Sequence, residues 1–446
     1  MVLAALFLGA ILRVWFIYAY PGILGDPLVY GDIAKNWLLH GIYGLTSETG
    51  AIRPTLIRLP GYPMYLAACF KLFGMEHYNA VMFSQIIFAL TGCLLLAGFT
   101  GRIWNEKAAL WALWLSALCP FTANYTGTPL TETLEIFFII LSLYALVRFL
   151  ETPLWRWALL EAFAWSYAAL LRPDGPLIAV ALCPAMVWYG HKRWGTARMV
   201  RFAVTAGLLS VLPFIPWTMR NWRTFHVFQP LAPRSAMDPG QFTNPGFDRW
   251  ARTICADLAC TWEVYWNAGS SEIHLNNLPS RAFDSHKQYE ETKQLLDDYN
   301  DSITVTPDLD ARFAALAAEH IRAHPFRYYV ALPLLRLADM WLRPRTELLW
   351  IELRWWQFEA HEGETVFAWA YAGLNLVYLV LAAWGLRKWP RLSAAMLFFI
   401  LMRCALLATL DAPEPRYMLE CFPMIIALAA IALTRQEAAA STDTAT

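Results

Sequence analysis

Carboxylates and guanidinium groups recur together in the polar segments that separate long apolar runs. The first of these segments holds Asp26, Asp32, Arg53 and Arg58. Later ones hold Glu132, then Arg172 and Asp174, then Asp411, Glu414 and Arg416. Charge in or beside a membrane is costly, so its placement carries information. Carboxylates alone would suit a cation or a proton. Carboxylates beside several arginines suit an anionic substrate and a general base, because the planar donor fork of arginine matches phosphate oxygens.

The elements that must hold these residues are membrane helices. The chain has 446 residues, 58% hydrophobic and only 16% charged, where a soluble domain carries about 25% charged residues. Apolar runs fall at 1–20, 77–100, 106–124, 130–150, 154–171, 176–190, 200–219, 326–344, 365–386, 391–410 and 416–434, and a run of about 18 apolar residues reads as a span. The expected fold is therefore an all-α polytopic membrane bundle. The formal net charge is zero, which excludes nucleic acid as an expected partner; the partners in view are membrane lipids. The first run has no small-residue cleavage site and reads as a retained span. Residues 1–219 form an N-terminal membrane module with an outer loop at 21–76, 220–325 a soluble external domain, 326–434 the C-terminal membrane helices, and 435–446 a disordered tail. Within the external domain, Ser280–Tyr299 and Asp308–Ala323 read as helices.

Basic short loops set the orientation. His191-Lys192-Arg193, Arg387-Lys388 and the Arg102/Lys107 turn belong on the cytoplasmic side. That places 21–76, 220–325 and the turns near 125–130, 172–175 and 411–416 outside. Arg336, Asp339, Arg343 and Arg345 make 326–344 a poor simple span; 326–364 either lies along the interface or crosses twice. Cys255 and Cys260 are placed to form a local disulfide if their region is outside, and are otherwise two free thiols. The other six cysteines read as small core residues. No Cys/His cluster has zinc-ligand spacing, and the sequence leaves a divalent metal requirement open.

The first outer loop is the most informative segment. In Gly25-Asp26-Pro27-Leu28-Val29-Tyr30-Gly31-Asp32-Ile33-Ala34-Lys35-Asn36, the residues Asp26, Tyr30 and Ile33/Ala34 share one helical face. Asp26 falls at the N-terminal end of that short helix. Further on, Arg58-Leu59-Pro60-Gly61-Tyr62-Pro63 makes a rigid turn just behind Arg58.

Asp-x-x-x-Tyr-x-x-x-Ala-x-Asn-x-Leu followed by Arg-x-Pro-Gly-Tyr-Pro resembles the first outer loop of the dolichyl-phosphate-mannose protein mannosyltransferase superfamily, which includes the bacterial lipid A aminoarabinose transferases. Leu130-Thr131-Glu132, Arg172-Pro173-Asp174-Gly175 and Glu414-Pro415-Arg416-Tyr417 extend the likeness along the chain. The resemblance implies a GT-C fold with an outward-facing active site, in a bacterial inner (plasma) membrane and open to the periplasm or exterior. It implies a polyprenyl-phosphate sugar as donor and a lipid, glycan or protein as acceptor. Carried over, Asp26 is the base on the acceptor and Arg58 holds the donor phosphate, with Arg172 and Arg416 as further candidates for that role. Glu132 helps to position the acceptor, and Tyr30, Asp32 and Tyr417 complete the substrate site. Asp26 is followed by Pro27, where the protein mannosyltransferases have an Asp-Glu pair, and their long extra domain has no counterpart. Both departures argue against protein mannosylation as the specific activity. Sugar transfer from a lipid phosphate needs a base for the acceptor hydroxyl and a cation for the leaving phosphate. A single base on the face opposite the leaving group inverts the anomeric carbon. No nucleotide is required, and no glycine-rich phosphate loop is present.

Each of these residues also has a plainer reading. Asp26 would serve as a helix N-cap, Asp32 as a structural carboxylate, and Arg58 as a headgroup anchor. Glu132 would cap its span, Arg172 and Asp174 would pair across their turn, and Arg416 would snorkel. Two other function classes stand beside the transferase. A secondary transporter predicts inverted repeats and mid-membrane charges in broken helices. A non-catalytic membrane assembly subunit predicts no cavity joining Asp26 to Arg58.

Overall fold

The computed structural model describes residues 1–356 and 362–435. The chain divides into two compact units: one of Met1–Pro239, Leu376–Ile400 and the chain from Leu419, the other of Gly240–Asn375 and Leu401–Met418. The expected disordered tail lies outside the described residues, apart from Arg435.

The first unit begins with α1 (Val2–Ala19), α2 (Asp26–His40), β1 (Gly44–Thr46), β2 (Ile52–Pro54) and α3 (Gly61–Phe73). It continues through α4 (Tyr78–Ile103), α5 (Glu106–Ala117), α6 (Pro120–Ala123), α7 (Glu132–Glu151) and α8 (Trp155–Leu171). Then come α9 (Pro176–Trp194), α10 (Thr196–Val211) and α11 (Phe214–Phe225). The second unit holds α12 (Pro245–Ile254), α13 (Leu258–Cys260), α14 (His286–Asn300), α15 (Pro307–Ala323) and α16 (Leu332–Leu342). Helices α17 (Glu362–Arg387) and α18 (Ser393–Leu407) have residues in both, and α19 (Phe422–Ala432) returns to the first.

Six helical stretches among the described residues are long and apolar enough to cross a membrane: Val2–Ala19, Tyr78–Ile103, Glu132–Glu151, Thr196–Phe225, Glu362–Arg387 and Pro415–Ala432. The apolar runs predict more: 154–171, 176–190 and 391–410 form α8, α9 and α18, and two further runs have local reasons to fall short. The run 106–124 breaks at Cys119-Pro120, which leaves α5 with 12 residues, or about 18 Å against a hydrocarbon core of about 30 Å. The run 326–344 is no simple span either, as its charges predict: a π turn (Arg327–Ala331) runs on into α16, and this helical stretch carries Arg327, Arg336 and Asp339. Its charged side chains are spent inside the second unit. Arg336 donates to the carbonyls of Cys255 (2.9 Å) and Arg252, and Asp339 accepts from the Leu258 amide at 2.9 Å.

Those contacts fasten a loop that Cys255 and Cys260 close as a disulfide. Phe247, Trp250, Tyr299 and Phe313 build the core of this unit. Helix α15 begins within a residue of the expected Asp308, with Thr306 accepting from the Leu309 amide at 3.3 Å, whereas α14 begins at His286, later than the expected Ser280, where Ser285 accepts from the Gln288 amide at 3.2 Å.

In the first unit the 21–76 loop is a compact layer rather than a free loop. The polar stretch Ser47-Glu48-Thr49-Gly50 turns β1 back onto β2 with Leu45 opposite Arg53, and Gly50 takes the positive φ of +79° that this turn needs. Asn36 of α2 donates to the carbonyl of Gly44 (3.1 Å) and to Thr46 (3.0 Å). The layer packs Ile33, Tyr43, Leu56 and Leu59 against Leu170 of α8 and Phe214 and Trp217 of α11.

Candidate functional site

Asp26 is the first residue of α2, and Gly25 before it takes the N-cap position with φ +66°. The aspartate is therefore not spent as a cap, and its charge faces the positive end of the helix dipole. Arg58 reaches it across the loop: Nη2 lies 2.7 Å from Asp26 Oδ1. The guanidinium sits 5.6 Å from the centroid of the Tyr30 ring, and Tyr30 in turn meets Tyr62 edge-on at 5.2 Å. The i, i+4 relation between Asp26 and Tyr30 thus becomes a seat for Arg58. Burial pushes the Tyr30 phenol up to about 12 against the opposing pull of Arg58. It is a neutral hydroxyl at neutral pH, a donor and support but not a base.

Arg172 caps the end of α8 and gathers carboxylates. Its Nε lies 3.1 Å from Asp174, 3.2 Å from Glu135 and 3.6 Å from Glu420, and Nη1 is 3.7 Å from Glu132. Burial works against this charge, but Asp174, Glu135, Glu420 and Glu132 together hold its pKa well above the ordinary guanidinium value. Arg172 is engaged by acids, which disfavours the direct phosphate contact expected of it. Its pairing with Asp174 across the turn is present, as one part of a larger cluster. Glu132 and Glu135 lie in the first turn of α7, where the helix dipole favours negative charge.

The two ion pairs share one neighbourhood. The Tyr30 phenol feels Arg58, Asp26, Arg172 and Glu132 together. The Pro60-Gly61 step brings this about. A Cβ on Gly61 would lie 2.6 Å from the carbonyl of Leu170, so only glycine lets the chain after Arg58 touch the chain before Arg172. The Tyr167 hydroxyl donates to the Gly61 carbonyl at 3.1 Å. Gly175 does the same for the Arg-Pro-Asp-Gly turn, its Cβ position being 2.1 Å from the Ala168 oxygen. Gln85 of α4 fixes the turn ahead of Glu132. It donates to the carbonyls of Thr126 (3.2 Å) and Thr128 (2.9 Å), and its oxygen accepts from the Tyr62 hydroxyl at 2.9 Å.

Exposure separates the acids. Asp26 keeps 33% of its side chain exposed, whereas Glu132, Glu135 and Glu420 keep 1%, 0% and 0%. A base must reach its acceptor, and Asp26 has the surface to do so. Asp32 instead accepts from the Thr46 amide (2.6 Å) and hydroxyl (2.9 Å) and pins the hairpin to α2. Arg416 and Tyr417 belong to the second unit, where both meet Glu414, at 2.8 Å and 3.2 Å. Glu135, Glu420, Gln85, Arg220 and Asp238 were not singled out from the sequence. Only Glu135 carried a signal, lying one turn beyond Glu132. Among the described residues no group of three or more His, Cys, Asp or Glu is arranged to hold a metal ion; the four acids here have Arg172 as their common counter-charge.

Residues 54–217 match the family model for dolichyl-phosphate-mannose-protein mannosyltransferase. The archaeal oligosaccharyltransferase AglB from Archaeoglobus fulgidus, solved in complex with an inhibitory peptide and a dolichol-phosphate, is similar with TM-score 0.52 at 12% identity, over 97% of this chain and 50% of that one. The same oligosaccharyltransferase in its apo form gives TM-score 0.52 at 12% identity, over 96% and 50%. ArnT from Cupriavidus metallidurans in the apo state gives TM-score 0.42 at 11% identity, over 97% and 76%. The chain spans about half the length of the oligosaccharyltransferases it matches. No curated protein matches it.

Proposed function

We propose that this chain, a membrane protein of the GT-C superfamily, is a glycosyltransferase that moves a sugar from a polyprenyl-phosphate donor to a hydroxyl of a lipid, glycan or protein acceptor. The observation that carries this reading is the contact of a partly exposed Asp26 with Arg58 at 2.7 Å. The matched family and the dolichol-phosphate held by the AglB complex support the donor class.

In this reading Asp26 takes the proton of the acceptor hydroxyl, and the acceptor oxygen forms its bond to the anomeric carbon. The bond from that carbon to the phosphate oxygen breaks, and the polyprenyl phosphate leaves with the charge that Arg58 stabilises. A guanidinium carries five N–H donors in one plane, so contact with Asp26 and with a phosphate at once is within its valence. Attack from the base side, opposite the leaving group, inverts the anomeric configuration. Arg172 organises the buried acids behind this pair, and Glu132 acts on the acceptor through that cluster. The Cys255–Cys260 disulfide supports an oxidising compartment for the 220–325 domain, as expected if the catalytic loop faces the periplasm or exterior.

The test is donor dependence. Purified protein in lipid nanodiscs is offered a panel of polyprenyl-phosphate sugars and, separately, nucleotide sugars, with a lipid-extract acceptor. Transfer from a polyprenyl-phosphate sugar alone supports the reading. Transfer that depends directly on a nucleotide sugar overturns it.

A further inference from the structure

Arg58 stands in six residues of irregular chain between the end of β2 at Pro54 and the start of α3 at Gly61. Its Thr55 amide donates to the Tyr43 carbonyl at 3.1 Å, and the peptide groups beyond that bond must find other partners. They find two charged side chains from a distant part of the same unit. Arg220 of α11 donates from Nη1 to the Thr55 carbonyl at 2.7 Å and from Nη2 to the Tyr43 carbonyl at 2.6 Å. Asp238 Oδ1 accepts from the Leu56 amide at 2.8 Å and from the Thr55 hydroxyl at 3.0 Å. The Thr55 carbonyl and the Leu56 amide belong to one peptide group. A cation grips one side of that plane and an anion the other, two residues ahead of Arg58.

A second route leads from Arg220 to Arg58 through Tyr43. The guanidinium lies 5.3 Å from the Tyr43 ring centroid, and Tyr43 donates its hydroxyl to the Arg58 carbonyl at 2.9 Å. Trp217 and Phe225, whose centroids are 5.4 and 5.3 Å from the guanidinium, hold it in place. A planar fork spanning two carbonyls is a task that lysine does not match. We propose that Arg220 and Asp238 are positioning residues that orient the Thr55–Leu56 peptide and thereby set where the Arg58 guanidinium meets Asp26 and the donor phosphate. This rests on the reading of Arg58 as the phosphate ligand, and the experiment separates the two.

Binding of undecaprenyl phosphate to the full-length protein in detergent is measured for wild type, Arg58→Ala, Arg220→Ala, Asp238→Ala, Asp238→Asn and the double variant Arg58→Ala/Arg220→Ala, with melting temperature recorded for each. Loss of a charge-assisted bond to phosphate corresponds to about a tenfold to hundredfold weaker Kd, expected for Arg58→Ala. Arg220→Ala and Asp238→Ala are expected to weaken binding within that range. Asp238→Asn keeps an amide oxygen that accepts from the Leu56 amide, so it recovers most of the affinity. The double variant binds no worse than Arg58→Ala, because Arg220 acts through Arg58. If Arg58→Ala binds like wild type, the phosphate-ligand reading fails. If Arg58→Ala weakens binding while folded Arg220→Ala and Asp238→Ala do not, or if the double variant loses affinity additively, the positioning role is overturned. Should Arg220→Ala not fold, Tyr43→Phe removes a single hydrogen bond on the same route; weaker binding supports the proposal and unchanged binding overturns it.

Discussion

Replacing Gly61 with alanine probes how the site is assembled, without touching any charged group. The added Cβ would lie 2.6 Å from the carbonyl carbon and oxygen of Leu170 and 2.9 Å from the Leu171 nitrogen, where ordinary contact begins at 3.4 Å. The two backbones must therefore part by about 0.8 Å, since no side chain can rotate out of the way. Overpacking of this kind costs about 1–3 kcal/mol. The strain also falls on the chemistry, because Gly61 is three residues from Arg58 and Leu171 adjoins Arg172. A misplacement of about 1 Å in a catalytic group can lower a rate about 100-fold. We expect Gly61→Ala to lower the melting temperature and, more sharply, the transfer rate per folded molecule. Thermal unfolding and initial-rate assays on purified protein measure both. Gly207→Ala is the control, since a Cβ there meets nothing within 4 Å. A Gly61→Ala protein with wild-type melting and wild-type turnover would show that the close approach of these two backbones does not build the site.

Arg58→Ala should reduce turnover by about 100- to 1,000-fold, the scale for losing one preorganised stabiliser of developing charge. Arg58→Lys should recover little, because an ammonium cannot span Asp26 and a phosphate as a planar fork does; equal rates for lysine and arginine would refute that geometry. In the second unit, acid should loosen the cluster around Asp284. Arg327 contacts both carboxylate oxygens, at 2.7 and 2.6 Å, and holds that carboxyl below its ordinary value, so its contribution is present above about pH 4 and is lost only as pH falls through the depressed value. His320 is buried at 3.1 Å from Asp284, and burial lowers its pKa despite that partner. It therefore resists protonation in the fold, and stability should begin to fall below about pH 6.5, where the unfolded chain takes up the proton. Melting curves from pH 8 to pH 5 read this, and a flat profile that His320→Gln leaves unchanged would contradict it.

What the sequence made legible was short-range. The short helix with Asp26 near its start and the common face of Asp26 and Tyr30 follow from spacings of three to five residues, and the structure has both; the turn expected after Arg58 ends at Pro60, where Gly61-Tyr62-Pro63 already open α3. The Cys255–Cys260 pair, open in the sequence between bridge and free thiols, is bridged. The supports of the loop were not legible, because their partners are far away along the chain. Arg220 meets Tyr43 and Thr55, and Glu420 meets Arg172, across separations that no periodicity reports. Arg172 shows the same limit. A lone arginine in an outer turn reads equally as a phosphate ligand or as a partner for acids, and only the convergence of Glu132, Glu135, Asp174 and Glu420 separates them. In the run 326–344 the charges of Arg336 and Asp339 were legible as an obstacle to a span, but their partners, the Cys255 carbonyl and the Leu258 amide, lie 81 residues away and were not.

The most direct measurement is turnover by Asp26→Asn, with the polyprenyl-phosphate sugar that wild type uses, at matched amounts of folded protein. Asparagine keeps the shape beside Arg58 and removes the base. A loss of about 100- to 10,000-fold, with undecaprenyl phosphate binding retained, is the expected result. Transfer at the wild-type rate would contradict the assignment of Asp26 as the base.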